Sequence, residues 1–201
     1  MMTENAEDIL RFWFGEQSDD ASIAARQAPL WWQKKPQTDA LIRKRFETAV
    51  KTAAAGALSA WSQTPDGRLA LIILLDQFPR NMYRDSPRAF LCDPQARDLC
   101  LQGLERGDDL RLRPIERVFF YLPLEHAEDR ALQARSVELF EALAASTHKA
   151  GMVDLSSYAE FARRHQRIID RFGRFPHRNA ILGRVSSAEE EAFLKTPGSS
   201  F

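Results

Sequence analysis

Charge of one sign is the first thing this chain lacks. Its 28 Lys and Arg balance its 28 Asp and Glu, so the formal net charge is zero. A general nucleic-acid binder carries a basic excess, so that role is disfavoured and no nucleic-acid partner is expected. Cysteine is scarce. Cys92 and Cys100 stand at no metal or redox spacing and read as small buried thiols. They make no disulfide scaffold, which fits a reducing cytoplasm. Long apolar runs are missing: the longest, residues 69–75, is too short to span a bilayer. The acidic start (Glu4, Glu7, Asp8) has no basic-then-apolar signal pattern, so no membrane partner is expected. There is no glycine-rich phosphate loop and no Gly-x-Ser-x-Gly elbow. No stretch alternates as a strand would.

What is present reads as helix. The 201 residues, 44% of them apolar, are enough for one sizeable core. Asn5 can cap a first helix carrying Ile9, Leu10, Trp13 and Phe14, stopped by Gly15. Residues 17–27 are polar and read as a loop. Leu30, Trp31 and Trp32 follow Pro29 as a hydrophobic plug onto the core, or as a stacking platform for a ligand. Thr38 can cap a helix to about Ala55, ended by Gly56. Thr64-Pro65 is a strong start signal for a helix apolar on every side, which Pro79 is expected to end. Ser86-Pro87 and Asp93-Pro94 repeat that signal, the second helix running to Arg106 before Gly107. Pro114 opens a short helix from Ile115 to about Leu122, with Pro123 interrupting it. Asp129, Asp154 and Ser187 (with Glu190) can cap the last three, the first of them ending before Gly151. The residues after Thr196 are expected to be a flexible tail. The expectation is an all-α fold: one domain over residues 1–201, with about eight helices in antiparallel pairs. No clean repeat period marks a repeat array.

Three polar clusters sit at the ends of these helices. The first is Asp76, Gln77, Arg80 and Asn81. Asp76 is out of place, because a carboxylate is disfavoured at a helix C-terminus and shares a face here with Leu69, Ile72 and Ile73. A buried carboxylate needs a partner, and Arg80 or the arginines near Arg174 are the candidates. The second is Glu125-His126, a pair suited to acid–base work although sequence neighbours point apart on a helix. The third runs from His165, on an apolar face, to Asn179. Six arginines between 163 and 178 oppose only Asp170. Arg163, Arg164 and Arg167 read as a solvated face. Arg174 and Arg178 lie in a turn fixed by Gly173 and Pro176, with His177 between them. Arginine's planar paired donors suit carboxylate and phosphate. A metal site drawn from Glu125, His126, His165 and His177 lacks zinc-motif spacing, and the arginines would repel a cation, so no metal and no cofactor are expected.

Three motifs, Leu75 to Asn81, Phe119 to His126, and His165 followed by Arg171 to Asn179, closely resemble a bacterial family known only as a domain of unknown function (number nine-two-four). The opening Ile9 to Gly15 is similar to that family's start. The resemblance spans nearly the whole chain and implies a tetratricopeptide-like, right-handed helical stack. It brings no activity.

The resulting expectation is a cytoplasmic protein with one polar pocket for a small phosphorylated or carboxylated molecule. Arg80, Arg174 and Arg178 would contact the anion, with Gln77, Asn81, His165 and Asn179 completing the ligand set. Asp76, Glu125, His126 and His177 would supply any acid–base hydrolytic chemistry. The alternative is a peptide- or protein-binding module with an exposed groove and exposed Trp31 and Trp32, its motifs serving as a structural polar network. The oligomeric state is not legible.

Overall fold

A computed structural model describes residues 4–17, 19–148 and 152–200. It is all-helical, with no strand among the described residues. In order the α-helices are α1 (Ala6–Phe14), α2 (Asp20–Trp32), α3 (Pro36–Ala54), α4 (Pro65–Ile72), α5 (Phe78–Met82), α6 (Asp93–Arg106), α7 (Pro114–Glu125), α8 (Arg130–Thr147), α9 (Ser156–Phe172) and α10 (Ala188–Leu194). A π turn, Ile73–Gln77, joins α4 to α5 without a break. Counting that continuous rod once, the described residues hold nine helices, close to the expected eight.

The strongest local signals hold. Asn5 caps α1 through a capping box and Gly15 closes it at φ 74°. Thr64 accepts from Gly67 N with Pro65 at the first helical position, and Ser187 with Glu190 boxes α10. Five expectations need correction. Residues 17–27 are not a loop: Asp19 accepts from Ser22 N and starts α2, whose alanines favour helix and whose Ile23 packs on the core. The third helix begins at Pro36 rather than after Thr38.

Pro79 does not end its helix. A proline ring normally clashes with the carbonyl four residues back. Here the Phe78 N–H reaches back five residues to the Ile73 carbonyl, and this wider turn makes room for the ring. Pro123 does not interrupt α7 either. Lying three residues from the end, it forfeits one hydrogen bond, and α7 carries on to Glu125. Asp154 accepts from Ser156 N, one residue outside the cap it was expected to be. α8 closes at Thr147, before Gly151 as expected.

The core is aromatic at its centre. Trp13, Phe78 and Phe119 are fully buried and meet edge-on, Trp13 lying 5.6 Å from Phe78 and 5.5 Å from Phe119. Trp31 is the plug: it sits 4.7 Å from Phe119 and donates from Nε1 to the Trp13 carbonyl at 2.9 Å. Around the rod of residues 65–82 pack α1, α3, α6 and α7, which explains why that rod is apolar on every side. Then α8 packs on α7, and α9 on α8. Arg68, only 2% exposed, ties this core to the α6 side: its guanidinium donates to Asp108, to the Leu99 carbonyl and to the Ser62 carbonyl.

Candidate functional site

The three polar clusters converge on one cavity of about 740 Å³. The π turn supplies Gln77, α5 supplies Arg80 and Asn81, the end of α7 supplies Glu125 and His126, α9 supplies His165, and the short turn Pro176–Arg178 supplies His177 and Arg178. The π turn matters for placement. It shifts the register by one residue, so that Asp76 and Gln77 are both buried where the rod passes α7.

Asp76 is the buried hub, with 0% exposure. Its Oδ1 lies 2.8 Å from His126 Nδ1 and 3.3 Å from Arg80, and Gln77 Nε2 donates to Oδ2. Burial opposes its charge, but Arg80 and His126 outweigh burial and hold the carboxyl down at about 2. An ionised Asp76 can only accept, so His126 Nδ1 carries the proton and Nε2 is the nitrogen left for the cavity. Burial, then Arg80, push the His126 pKa below its ordinary value against the pull of Asp76. His126 is therefore a neutral imidazole oriented by a carboxylate.

Glu125 behaves oppositely. It is 4% exposed, and burial with the nearby Asp76 charge pushes it up to about 8, so it keeps its proton at neutral pH. Its Oε1 sits 3.2 Å from His165 Nδ1, which also lies 2.9 Å from the Phe161 carbonyl. A carbonyl only accepts, so that nitrogen is protonated and His165 is neutral, its pKa driven down to about 3 mainly by burial. His177 is pushed down to about 4 by burial and by Arg178.

Asp93 organises the cations. Arg80 grips it with two parallel hydrogen bonds of 2.8 and 2.9 Å, and also donates to the Asp76 carbonyl at 2.7 Å. Arg178 reaches the same carboxylate only at 3.7 Å. Its guanidinium lies 4.7 Å over Phe90 and 4.6 Å over Phe175, and its buried Nε has no acceptor among the described residues. Burial, and then Arg80, lower its pKa to about 10. Arg178 is thus a buried cation with incomplete counter-charge. Among the described residues, no group of three or more His, Cys, Asp or Glu is arranged to hold a metal ion.

Two residues expected at the site lie elsewhere. Arg174 turns away and grips Glu190 with bonds of 2.7 and 2.8 Å, also donating to the Val185 carbonyl. Asn179 is buried behind the turn and donates to Ser186 at 3.0 Å. Both fasten the turn to the segment leading into α10. Asn81 lines the cavity, yet its amide is committed to Asp39 at 3.0 Å. Sequence reasoning missed Asp93, read only as a helix cap, and Glu128. The latter accepts from Phe175 N at 2.8 Å and pairs with Arg184, seating the turn against the α7–α8 link. It also missed the aromatic wall of Phe90, Tyr158 and Phe161.

The model of a family described as a bacterial protein of unknown function (DUF924) matches residues 9–198. The chain belongs to this family. A solved structure titled as that of a protein of unknown function, ATU0120, from Agrobacterium tumefaciens is similar, with 37% sequence identity and a TM-score of 0.80. The match covers 94% of this chain and 96% of that one, so this DUF924 chain shares its fold over nearly the full length. No protein of curated function matches this chain. The motifs that mark the DUF924 resemblance are those that build the cavity wall and the supports behind it.

Proposed function

We propose that the cavity binds a small carboxylated or phosphorylated molecule and performs acid–base hydrolytic chemistry on it. The observation that carries this reading is Arg178, a buried guanidinium on the cavity wall whose nearest carboxylate, at 3.7 Å, is already gripped by Arg80. A bound anion would complete its counter-charge. Gln77 and Arg80 flank the same space, and His177 adds a neutral imidazole.

His126 and Glu125 are the acid–base pair of the proposal. Their environments push their pKa values past one another, so that at neutral pH the histidine is an available base and the glutamic acid a proton donor. In hydrolysis, His126 Nε2 takes a proton from water as the water oxygen bonds to the phosphorus or acyl carbon. The bond to the leaving oxygen breaks, and Glu125 protonates that oxygen. Asp76 orients His126 and steadies the imidazolium.

Of the two tryptophans that the peptide-groove alternative needs exposed, Trp32 is 48% exposed, whereas Trp31 is 7% exposed and hydrogen-bonded into the core. A tetratricopeptide-like stack is supported by the successive packing of α7, α8 and α9. A reducing cytoplasmic setting is supported by the two free thiols, Cys92 and Cys100.

The test is a thermal-shift and calorimetric screen of small phosphates and carboxylates on the wild type, Arg178→Gln and Arg178→Lys. Loss of one charged hydrogen-bonding partner costs about 1.5–3 kcal/mol, or roughly 10- to 150-fold in Kd. Arg178→Gln should show that loss, and Arg178→Lys should restore part of it. A screen in which no anion stabilises the wild type, or in which Arg178→Gln binds equally well, refutes the reading.

A further inference from the structure

We infer that the ligand of this cavity is an anion carried on a flat aromatic body, with the ring stacked against Trp32 and the anionic group at Arg178. The inference deepens the anion-binding reading and rests on it. The charged and imidazole groups form one part of the wall, where Arg80 and Arg178 share Phe90 and Asp93. Another part is aromatic. Trp32 stacks on Phe119 at 5.7 Å and 11° between planes, and Tyr158 closes its edge at 5.9 Å. Phe119 packs against the indole, yet Trp32 is 48% exposed and lines the cavity. Phe161, also lining the cavity, is 45% exposed.

Two large aromatic side chains left open beside a buried cation are costly unless something covers them. All three line one cavity. Along α9, Phe161 and His165 are one helical turn apart, about 6 Å, so the aromatic and polar parts of the wall adjoin there. The indole is held by Phe119 and Tyr158 before any ligand arrives, so stacking on it costs little ordering. A linear alkyl body would cover the same surface without using its flatness.

Calorimetry with five probes tests this: phenyl phosphate and benzoate, the bodiless heads inorganic phosphate and acetate, and the headless body phenol. They are titrated into the wild type, Trp32→Ala and Trp32→Phe, with circular dichroism confirming that each variant folds. Phenyl phosphate or benzoate should bind at least about tenfold more tightly than its bodiless head, the gain expected from burying one ring face. Trp32→Ala should remove that gain and leave the affinity for the bare heads unchanged, and Trp32→Phe should keep most of it. Equal affinities for the aromatic anions and their bare heads, or an undiminished gain in Trp32→Ala, overturn the inference while leaving the anion site standing. Phenol binding as tightly as phenyl phosphate, or no anion binding at all, removes the anion reading itself and this inference with it.

Discussion

Replacing Glu125 by glutamine should make the protein more stable at neutral pH and leave it unchanged in mild acid. Glu125 is buried with no cation beside it among the described residues, and burial with the Asp76 charge raises its pKa from 4.5 to about 8. Below pH 4.5 the folded and unfolded chains both hold the proton, and the stability linked to it is fully present. Between 4.5 and 8 the unfolded chain releases a proton that the folded chain retains, so stability is lost as pH rises, by about 1.36 kcal/mol per unit. From pH 5 to pH 7.5 the loss is roughly 3 kcal/mol, a large part of the stability of an ordinary domain. Glutamine has nearly the same shape and does not titrate. Urea denaturation of both proteins at half-unit steps from pH 5 to 8 isolates the effect, because every other titrating group is common to the two. The difference in unfolding free energy should grow with pH and level off near pH 8. Parallel curves would show that Glu125 titrates as an ordinary surface carboxylate and would refute the account of it as a resident acid.

Asp76→Asn should cost roughly 3 kcal/mol in chemical denaturation, the lower end for breaking a buried pair, because Arg80 keeps both bonds to Asp93. Since the Asp76 pKa is depressed from 3.8 to about 2, its contribution is present above pH 3.8 and disappears as pH falls through 2; acid titration should show the wild type and Asp76→Asn converging there. Arg174→Ala should lower the melting temperature by freeing the Glu190 cap region, yet leave anion affinity unchanged; a lost ligand response in a folded variant would return Arg174 to the site. If p-nitrophenyl phosphate or p-nitrophenyl acetate is hydrolysed, the rate should fall on the alkaline side near pH 8 as Glu125 loses its proton, and Glu125→Gln should lose most of the rate. Gly103→Ala should destabilise by about 1–3 kcal/mol in urea, since a Cβ there would overlap Phe120 and Arg68 in the α4–α6–α7 packing.

Caps and terminators were legible because they act within one turn. Asn5, Gly15, Thr64-Pro65 and Ser187 with Glu190 each announce a helix end through a bond three or four residues long. The prolines misled because their effect depends on what surrounds them. Pro79 is read as a stop until the π turn that makes room for its ring is known. Asp76 was identified as anomalous from its place on an apolar face, and its partnership with Arg80 is one of the two anticipated. Its other partner, His126, is fifty residues away and sits at the helix end created by α7 passing through Pro123. Arg174 and Arg178 looked equivalent in the turn. What separates them is Glu190, brought to Arg174 by α10, and the Phe90 ring under Arg178. The aromatic wall left no sequence signal, since Tyr158 and Phe161 look like any residues in the first turns of an amphipathic helix.

An anion is expected to settle against Arg178 with its ring on Trp32, and a crystal of the protein soaked in benzoate would show it directly. Carboxylate density should lie within hydrogen-bonding reach of the Arg178 guanidinium, with the phenyl ring parallel to the Trp32 indole. Density at a different place on the molecule, or none in this cavity at a concentration well above the Kd measured in solution, would contradict it.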